Sequence, residues 1–235
     1  MRNILTTTTL MLFLVSYSVL ADGFGLSVTR VIFKGNSSST TVVLRNSSAK
    51  DTYIVQARMS RTLDGFEQTP FTITPPIFRL EPDSTNNLRI KLNGSIELSQ
   101  EHESVFYLNT RAIPATMKKE FKDGSNSISG TAQFGVGTII KLFYRPKNLP
   151  GSSEEAQKNI SFQIASNGLK VKNNSAFYVS FSKLSLAGES LLKKNSPAMI
   201  APYSDITYIT NKKSGKVNWN TINDFGGVNV YTTDL

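Results

Sequence analysis

Cysteine is absent from the 235-residue chain, and histidine occurs once, as His102 between Glu101 and Glu103. Without cysteine the protein has neither disulfide bonds nor thiolate chemistry, so each domain depends on its hydrophobic core. A Ser-His-Asp site needs a positioned base, which a histidine in a predicted surface turn does not supply. The sequence also lacks a cluster of metal ligands and a phosphate-binding glycine loop. We therefore predict that the protein is not an enzyme and has no catalytic residue, metal site or cofactor.

Long hydrophobic runs are also missing, since no stretch approaches the roughly 20 apolar residues that a transmembrane helix needs. Residues 1–21 carry Arg2, then an apolar segment from Leu10 to Val15, and end in Val19-Leu20-Ala21. This pattern is typical of a secretory signal peptide. A transmembrane anchor is the alternative, but the apolar segment is short and is flanked by threonine and serine. We expect cleavage after Ala21 and an exported mature protein that begins at Asp22.

Acidic residues are fewer than basic ones, 17 against 26, which gives a formal net charge of +9. Such a charge suits a nucleic acid, an anionic membrane or an acidic protein partner. The basic residues are scattered, however, and neither a helical arginine stripe nor an RNA-recognition signature occurs. We therefore predict no nucleic-acid partner.

Helical periodicity is weak along the whole chain, and runs with β character dominate. A single helical turn is predicted at residues 98–103. The segment after Pro146 is rich in proline, glycine, serine and charge, which indicates a domain boundary. The sequence thus predicts an all-β protein with two immunoglobulin-like β-sandwich domains, residues 22–146 and 147–235. Seven strands are predicted in the first half, at 26–33, 40–46, 52–59, 71–80, 88–93, 104–114 and 131–146.

The last strand of the first half, GTIIKLFYRP (137–146), contains Lys141 among apolar residues. Burial of an unpaired ammonium is unfavourable, so this lysine needs an anionic partner. Ahead of it, apolar residues of one parity lie on one strand face, a set we call the apolar row: Ile128, Ala132, Phe134 and Val136. The row is either ordinary core or the exposed face of an edge strand, and Lys141 pairs either with an acid of this chain or with a ligand.

Five motifs resemble those of the periplasmic pilus-assembly chaperones of the chaperone–usher pathway. They are TRVIFKG (29–35), TPPIFRLEP (74–82), ESVFYLNTRAIP (103–114), IKLFYRP (140–146) and INDFGG (222–227). Each motif is weak alone, but five in this order and spacing are specific. The resemblance implies two immunoglobulin-like domains in an L or boomerang arrangement and a periplasmic location. It also implies that the protein binds fimbrial subunits by donor-strand complementation and delivers them to an outer-membrane usher.

The resemblance assigns roles to particular residues. Arg30 and Lys141 would bind the C-terminal carboxylate of the subunit, and the apolar row would fill the groove of the incomplete subunit. Charge-assisted hydrogen bonds suit the first role, because they are roughly twice as strong as neutral ones. Arg79, Glu103 and Asp224 would form an inter-domain salt-bridge cluster; solvated surface charges are the alternative.

Self-association of the free protein through the donor edge is a further expectation, because an exposed strand edge can pair with another copy. The rival interpretation is an exported two-domain adhesin or structural β-sandwich binding protein. An internal donor strand and a cationic pair in a cleft favour the chaperone.

Overall fold

The computed structural model describes residues 23–94, 97–115 and 134–235. The predicted signal peptide, and Ile128 and Ala132 of the apolar row, lie outside these ranges. Up to residue 145 the described residues form β1 (Phe24–Leu26), β2 (Arg30–Lys34), β3 (Ser39–Asn46), β4 (Tyr53–Ser60), β5 (Phe71–Thr74), β6 (Ile77–Leu80), β7 (Ser84–Leu92), β8 (Ser104–Pro114) and β9 (Val136–Arg145).

These strands build two sheets, with strand orders β1-β3-β7-β5 and β2-β9-β8-β4-β6. In the five-stranded sheet β2 and β9 run parallel, whereas the other neighbours are antiparallel. The core lies between the two sheets, where Phe71 packs edge-on against Phe33 and Phe106 with ring centroids 5.2 and 5.1 Å apart. Edge-on aromatic pairs add to the hydrophobic gain of burial, so this cluster fixes the packing of the sheets.

Two runs predicted as single strands are each divided between the sheets. The run 26–33 begins with Leu26, the last residue of β1, which pairs with β3 in one sheet; its residues from Arg30 on belong to β2, which pairs with β9 in the other. In the run 71–80, β5 pairs with β7 and β6 pairs with β4. Pro75 and Pro76 lie where the chain passes from β5 in one sheet to β6 in the other. Proline suits this break because it has no N–H to donate to a strand ladder.

The second half has its own core. Its elements are α1 (Ser153–Lys158), β10 (Ser161–Ala165), β11 (Gly168–Lys172), β12 (Val179–Leu186), β13 (Glu189–Ser190), β14 (Met199–Ile200), β15 (Asp205–Ile209), β16 (Lys216–Ile222) and β17 (Val228–Asp234). The sheets have the orders β10-β11-β15 and β13-β12-β16-β17, with β14 also pairing with β12. Trp219 packs between Phe162 and Tyr231 at centroid distances of 4.8 and 5.4 Å. Its indole N–H donates to the carbonyl of Gln157 at 3.0 Å, which fastens α1 to this core.

The prediction of an all-β chain with two sandwiches is confirmed. The exact division after residue 146 stays a prediction, although the buried residues of each core keep to their own side of it. The helical turn predicted at 98–103 is wrong, because the Ser99 hydroxyl accepts from the N–H groups of Glu101 and His102 and forms a local turn instead. None of the described helices has the length and apolar character needed to cross a bilayer.

Candidate functional site

The parallel ladder between β2 and β9 sets Arg30 directly beside Lys141. Because the pairing is in register, both side chains project from the same face of the five-stranded sheet. Both residues are half-buried. Two cations thus stand next to each other at the N-terminal end of β2.

Arg30 is held from the second domain. Its Nη1 donates to the carbonyl of Ile222 at 2.8 Å, and its guanidinium lies 5.6 Å from the ring centroid of Phe143. Its Nε is buried and has no hydrogen-bond partner. Since buried polar groups in proteins are nearly always paired, this unused donor indicates a site for an acceptor.

The pKa shifts of Arg30 and Lys141 also indicate a site for an anion. Burial, followed by the charge of Arg30, lowers the pKa of Lys141 below its ordinary value. Burial also lowers the pKa of Arg30, against the attraction of Asp224 and Glu103. A like charge and burial both disfavour the charged form, so an incoming anion relieves both effects at once.

The two nearby carboxylates are already bound by another cation, Arg145 at the end of β9. Its Nε lies 2.6 Å from Glu103 Oε1, and its Nη1 and Nη2 lie 2.6 and 2.9 Å from the two oxygens of Asp224. The Ser153 hydroxyl adds a bond to Asp224, and the Tyr178 N–H donates to Glu103 at 2.8 Å. Within the described residues neither Arg30 nor Lys141 forms an ion pair, so neither cation has a carboxylate partner of its own there.

The pKa values of the two carboxyl groups are shifted in opposite directions. Burial raises the pKa of Glu103, against the opposing charge of Arg145 and the Tyr178 N–H. Burial also acts to raise the pKa of Asp224, but the hydrogen bonds and charge of Arg145 hold it below its ordinary value. Both acids, together with Arg145, join the first domain to the second.

The prediction that Arg79 belongs to this cluster is wrong. Arg79 lies on β6 at the far edge of the sheet, with β4 and β8 between it and β9. Three strand spacings of about 4.8 Å separate it from Arg145. It pairs instead with Glu81 at 2.5 Å on an exposed surface. Arg145 takes the place predicted for Arg79, and its parity with Lys141 on β9 was the sequence signal that could have identified it.

Strand β9 has one covered and one open edge. Strand β8 pairs with β9 from Val136 to Tyr144, whereas β2 covers the other edge only from Lys141 onward. Among the described residues no strand pairs with that edge over 136–140. Phe134, two residues before this stretch, is 84% exposed, and Val136 at its start is 45% exposed. The described members of the apolar row therefore lie at the surface and not in the core.

Together these features suit an extended chain that ends in a carboxylate. An open strand edge offers N–H and C=O groups to another strand. The cationic pair stands where this edge ends, so a carboxylate bound there would fix the register of the added strand. Within the described residues no group of acidic or histidine side chains could hold a metal ion.

Comparison with protein-family models matches both halves of the chain. The N-terminal domain of the pili and flagellar-assembly chaperone PapD matches residues 23–150, and the C-terminal domain of the pili assembly chaperone PapD matches residues 155–233. The chain belongs to the pilus-assembly chaperone family. The resemblance drawn from the five motifs is therefore confirmed.

Individual pilus-assembly chaperones are similar over nearly the whole length. Chaperone protein LpfB of Salmonella typhimurium (strain LT2) is 37% identical over 226 residues, which cover 95% of this chain and 94% of that protein. The probable fimbrial chaperone LpfB of Escherichia coli O157:H7 is 36% identical over 227 residues, which cover 96% and 94%. The crystal structure of the E. coli chaperone DraB superimposes with a TM-score of 0.76 at 29% identity, over 91% of this chain and 97% of that one.

Proposed function

We propose that the protein is a periplasmic chaperone that binds fimbrial subunits by lending them the open edge of β9. The observation that carries this proposal is the position of the Arg30–Lys141 pair at the point where β2 stops covering β9. The subunit adds a strand along residues 136–140 and places its C-terminal carboxylate between the two cations. Phe134 and Val136 then enter the hydrophobic groove of the incomplete subunit, as do Ile128 and Ala132.

Each part of this mechanism has a physical role. Main-chain hydrogen bonds along the open edge supply affinity without demanding a particular sequence. Burial of a Phe or Val side chain adds roughly 1.5–3 kcal/mol when it is complete. The carboxylate offers an acceptor to the unused Arg30 Nε and neutralises the half-buried Lys141.

Export and hand-over complete the proposal. Residues 1–21 act as a signal peptide that is removed after Ala21, and the loaded chaperone passes its subunit to an outer-membrane usher. No catalytic step is assigned to the protein. The rival interpretation as an adhesin gains nothing from the comparisons, since the relatives named above are chaperones over both domains.

The test is a pull-down from periplasm with the tagged protein, comparing wild type, Lys141→Ala and Arg30→Ala. Lys183→Ala, which removes an exposed lysine of the second domain, is the matched control. We expect small pilin-like subunits, identified by mass, on wild type and the control alone. Equal recovery on a Lys141→Ala variant with an unchanged unfolding midpoint would overturn the carboxylate anchor. N-terminal sequencing of the same preparation tests cleavage after Ala21.

A further inference from the structure

Phe225 is the most exposed large apolar side chain among the described residues, at 99%. It lies in the turn that joins β16 to β17, within the INDFGG motif. An aromatic side chain fully in water gains nothing for folding, because its hydrophobic contribution depends on burial. Trp, Tyr and Arg dominate binding hot spots, and exposed aromatic side chains are generally enriched at interfaces.

The turn that carries Phe225 is rigidly built. The Asn223 side-chain oxygen accepts from the N–H groups of Phe225 and Gly227 at 3.1 and 2.9 Å. The Asn223 N–H donates to the Gly227 carbonyl at 2.8 Å, and the Gly226 N–H donates to the Asn223 carbonyl at 3.0 Å. Gly226 has φ +84°, a conformation that favours glycine. An exposed aromatic on a fixed turn loses little conformational freedom on binding, which favours its use in recognition.

The same turn contacts the start of β2 on both sides of Phe225, through Arg30 and through the preceding Thr29. Before Phe225, the carbonyl of Ile222 accepts from Arg30, and Asp224 is bound by Arg145. After Phe225, Gly226 lies so close to the Thr29 hydroxyl that a side chain there would collide with it. The turn therefore holds Phe225 close to Thr29 and Arg30, and Arg30 is one of the two cations proposed to bind the carboxylate of a subunit.

We propose that Phe225 is a specificity residue that contacts an apolar side chain within the last two residues of the subunit. This inference rests on the proposed function, because it takes the carboxylate to be bound by Arg30 and Lys141. The cations recognise the terminal charge, which every chain end carries, and cannot distinguish one C-terminus from another. Phe225 adds that distinction by favouring apolar chain ends over polar ones.

The experiment titrates ¹⁵N-labelled protein with three short acetylated peptides and follows the amide signals. The probes are Gly-Gly-Leu-Leu with a free carboxylate, the same peptide with a C-terminal amide, and Gly-Gly-Ser-Ser with a free carboxylate. We expect the Leu-Leu carboxylate to bind wild type about five- to tenfold more tightly than the Ser-Ser carboxylate, the size of effect that partial burial of an apolar side chain gives. Phe225→Ala should bring the two affinities together.

Phe66→Ala is the matched control, because Phe66 is also highly exposed, at 81%, but lies in the loop between β4 and β5. This variant should keep the wild-type preference. A preference for Leu-Leu that persists in Phe225→Ala overturns the specificity role while the anchor stands. Equal affinity of the carboxylate and amide peptides overturns the anchor itself, so the two failures are distinguishable.

Discussion

At the scale of single residues, the neighbours of Lys141 show how a charged ammonium is placed in an otherwise apolar strand. Three cations, Arg30, Lys141 and Arg145, meet two carboxylates at the junction of the domains, and both carboxylates bond to Arg145. Arg30 and Lys141 are left with an excess of positive charge in a half-buried place. A bound carboxylate, as proposed above, would relieve this unfavourable arrangement.

The lowered pKa of Lys141 predicts how subunit binding depends on pH. Binding a carboxylate favours the ammonium, so the affinity is constant while the free protein has Lys141 protonated. It falls as the pH rises through the free-state pKa, which lies below the ordinary 10.5. Calorimetric titration of a carboxylate peptide in buffers of different ionisation enthalpy should show proton uptake over the same range.

Lys141→Arg is the control for this pH dependence, since a guanidinium stays protonated well above pH 11. Its peptide affinity should remain flat across the range in which the wild type weakens. A wild-type affinity that is equally flat up to pH 10.5 would show that Lys141 does not contribute its charge to binding.

The residues of the site divide clearly into those that the sequence could identify and those that it could not. Arg30 and Lys141 follow from the motif resemblance, and their roles stay predictions even though the structure sets them side by side. Arg79 was misplaced, because a sequence shows that an arginine is present but not how many strands separate it from its partners. Arg145 lies two residues after Phe143 and four after Lys141. On strand β9 its side chain therefore lies on the same face of the sheet as theirs, and this alternation could have identified it.

At the scale of elements, the open edge arises from the way the first strand crosses between sheets. Strand β1 pairs with β3 and β2 pairs with β9, and β2 begins only at Arg30. Among the described strands, the N-terminal half of β9, residues 136–140, therefore has β8 as its one neighbour. Alternation along the sequence predicted the strands but not the crossing, since a strand can change its partner without changing its side-chain period.

Helix α1 shows a different limit of sequence reasoning. The proline, glycine, serine and charge after Pro146 predict a domain boundary there, and no helix is predicted from them. The serine and acidic residues among them are also the start signals of a helix: the Ser152 side chain accepts from the Glu155 N–H, and Glu154 and Glu155 lie in the first turn. The decisive stabilisation is tertiary, because the buried Gln157 side-chain oxygen accepts from Thr221 and Asn229.

Substitution at Phe134 tests strand donation directly. Phe134→Asp should abolish capture of subunits, since a carboxylate would have to enter an apolar groove. The substitution should leave stability within about 0.5 kcal/mol, because an exposed side chain contributes little to the fold. Recovery of periplasmic subunits on the tagged variant, beside its unfolding midpoint, measures both effects.

Phe66→Asp makes the same change at an equally exposed position on a loop and should capture subunits normally. If both aspartate variants capture subunits like the wild type, a strand other than β9 is donated. Sedimentation of the free wild type and Phe134→Asp would also show whether the open edge mediates self-association.

At the scale of the whole molecule, the two sandwiches are joined by a compact polar contact. The Glu103 N–H donates to the carbonyl of Ala176 at 2.9 Å, and the Glu103 carboxylate accepts from Arg145 and the Tyr178 N–H. The ring of Phe143 packs on Tyr178 at a centroid distance of 5.7 Å. Because Arg30 also bonds to Ile222 of the second domain, the geometry of the anchor depends on how the domains are held.

Arg145→Ala should therefore weaken both the fold and the function. It leaves Glu103, which is only 2% exposed, as a buried charge without its ion-pair partner, a defect that costs about 3–5 kcal/mol. We expect a clearly lower unfolding midpoint, a change in the small-angle scattering profile and reduced subunit capture. Arg79→Ala removes an exposed arginine from the same sheet and should change none of the three.

A second substitution separates the loss of the ion pair from the loss of side-chain packing. Adding Glu103→Gln to Arg145→Ala removes the stranded charge, and the amide oxygen still accepts from the Tyr178 N–H. The double variant should therefore be more stable than Arg145→Ala alone, although each change removes a native contact. If the double variant is no more stable than Arg145→Ala, the unpaired charge of Glu103 is not what destabilises the single variant. Arg145 then acts mainly by packing on Phe177, whose ring centroid lies 5.1 Å from its guanidinium. In that case the domains would be joined by apolar contact, and the cluster would not set the geometry of the cleft.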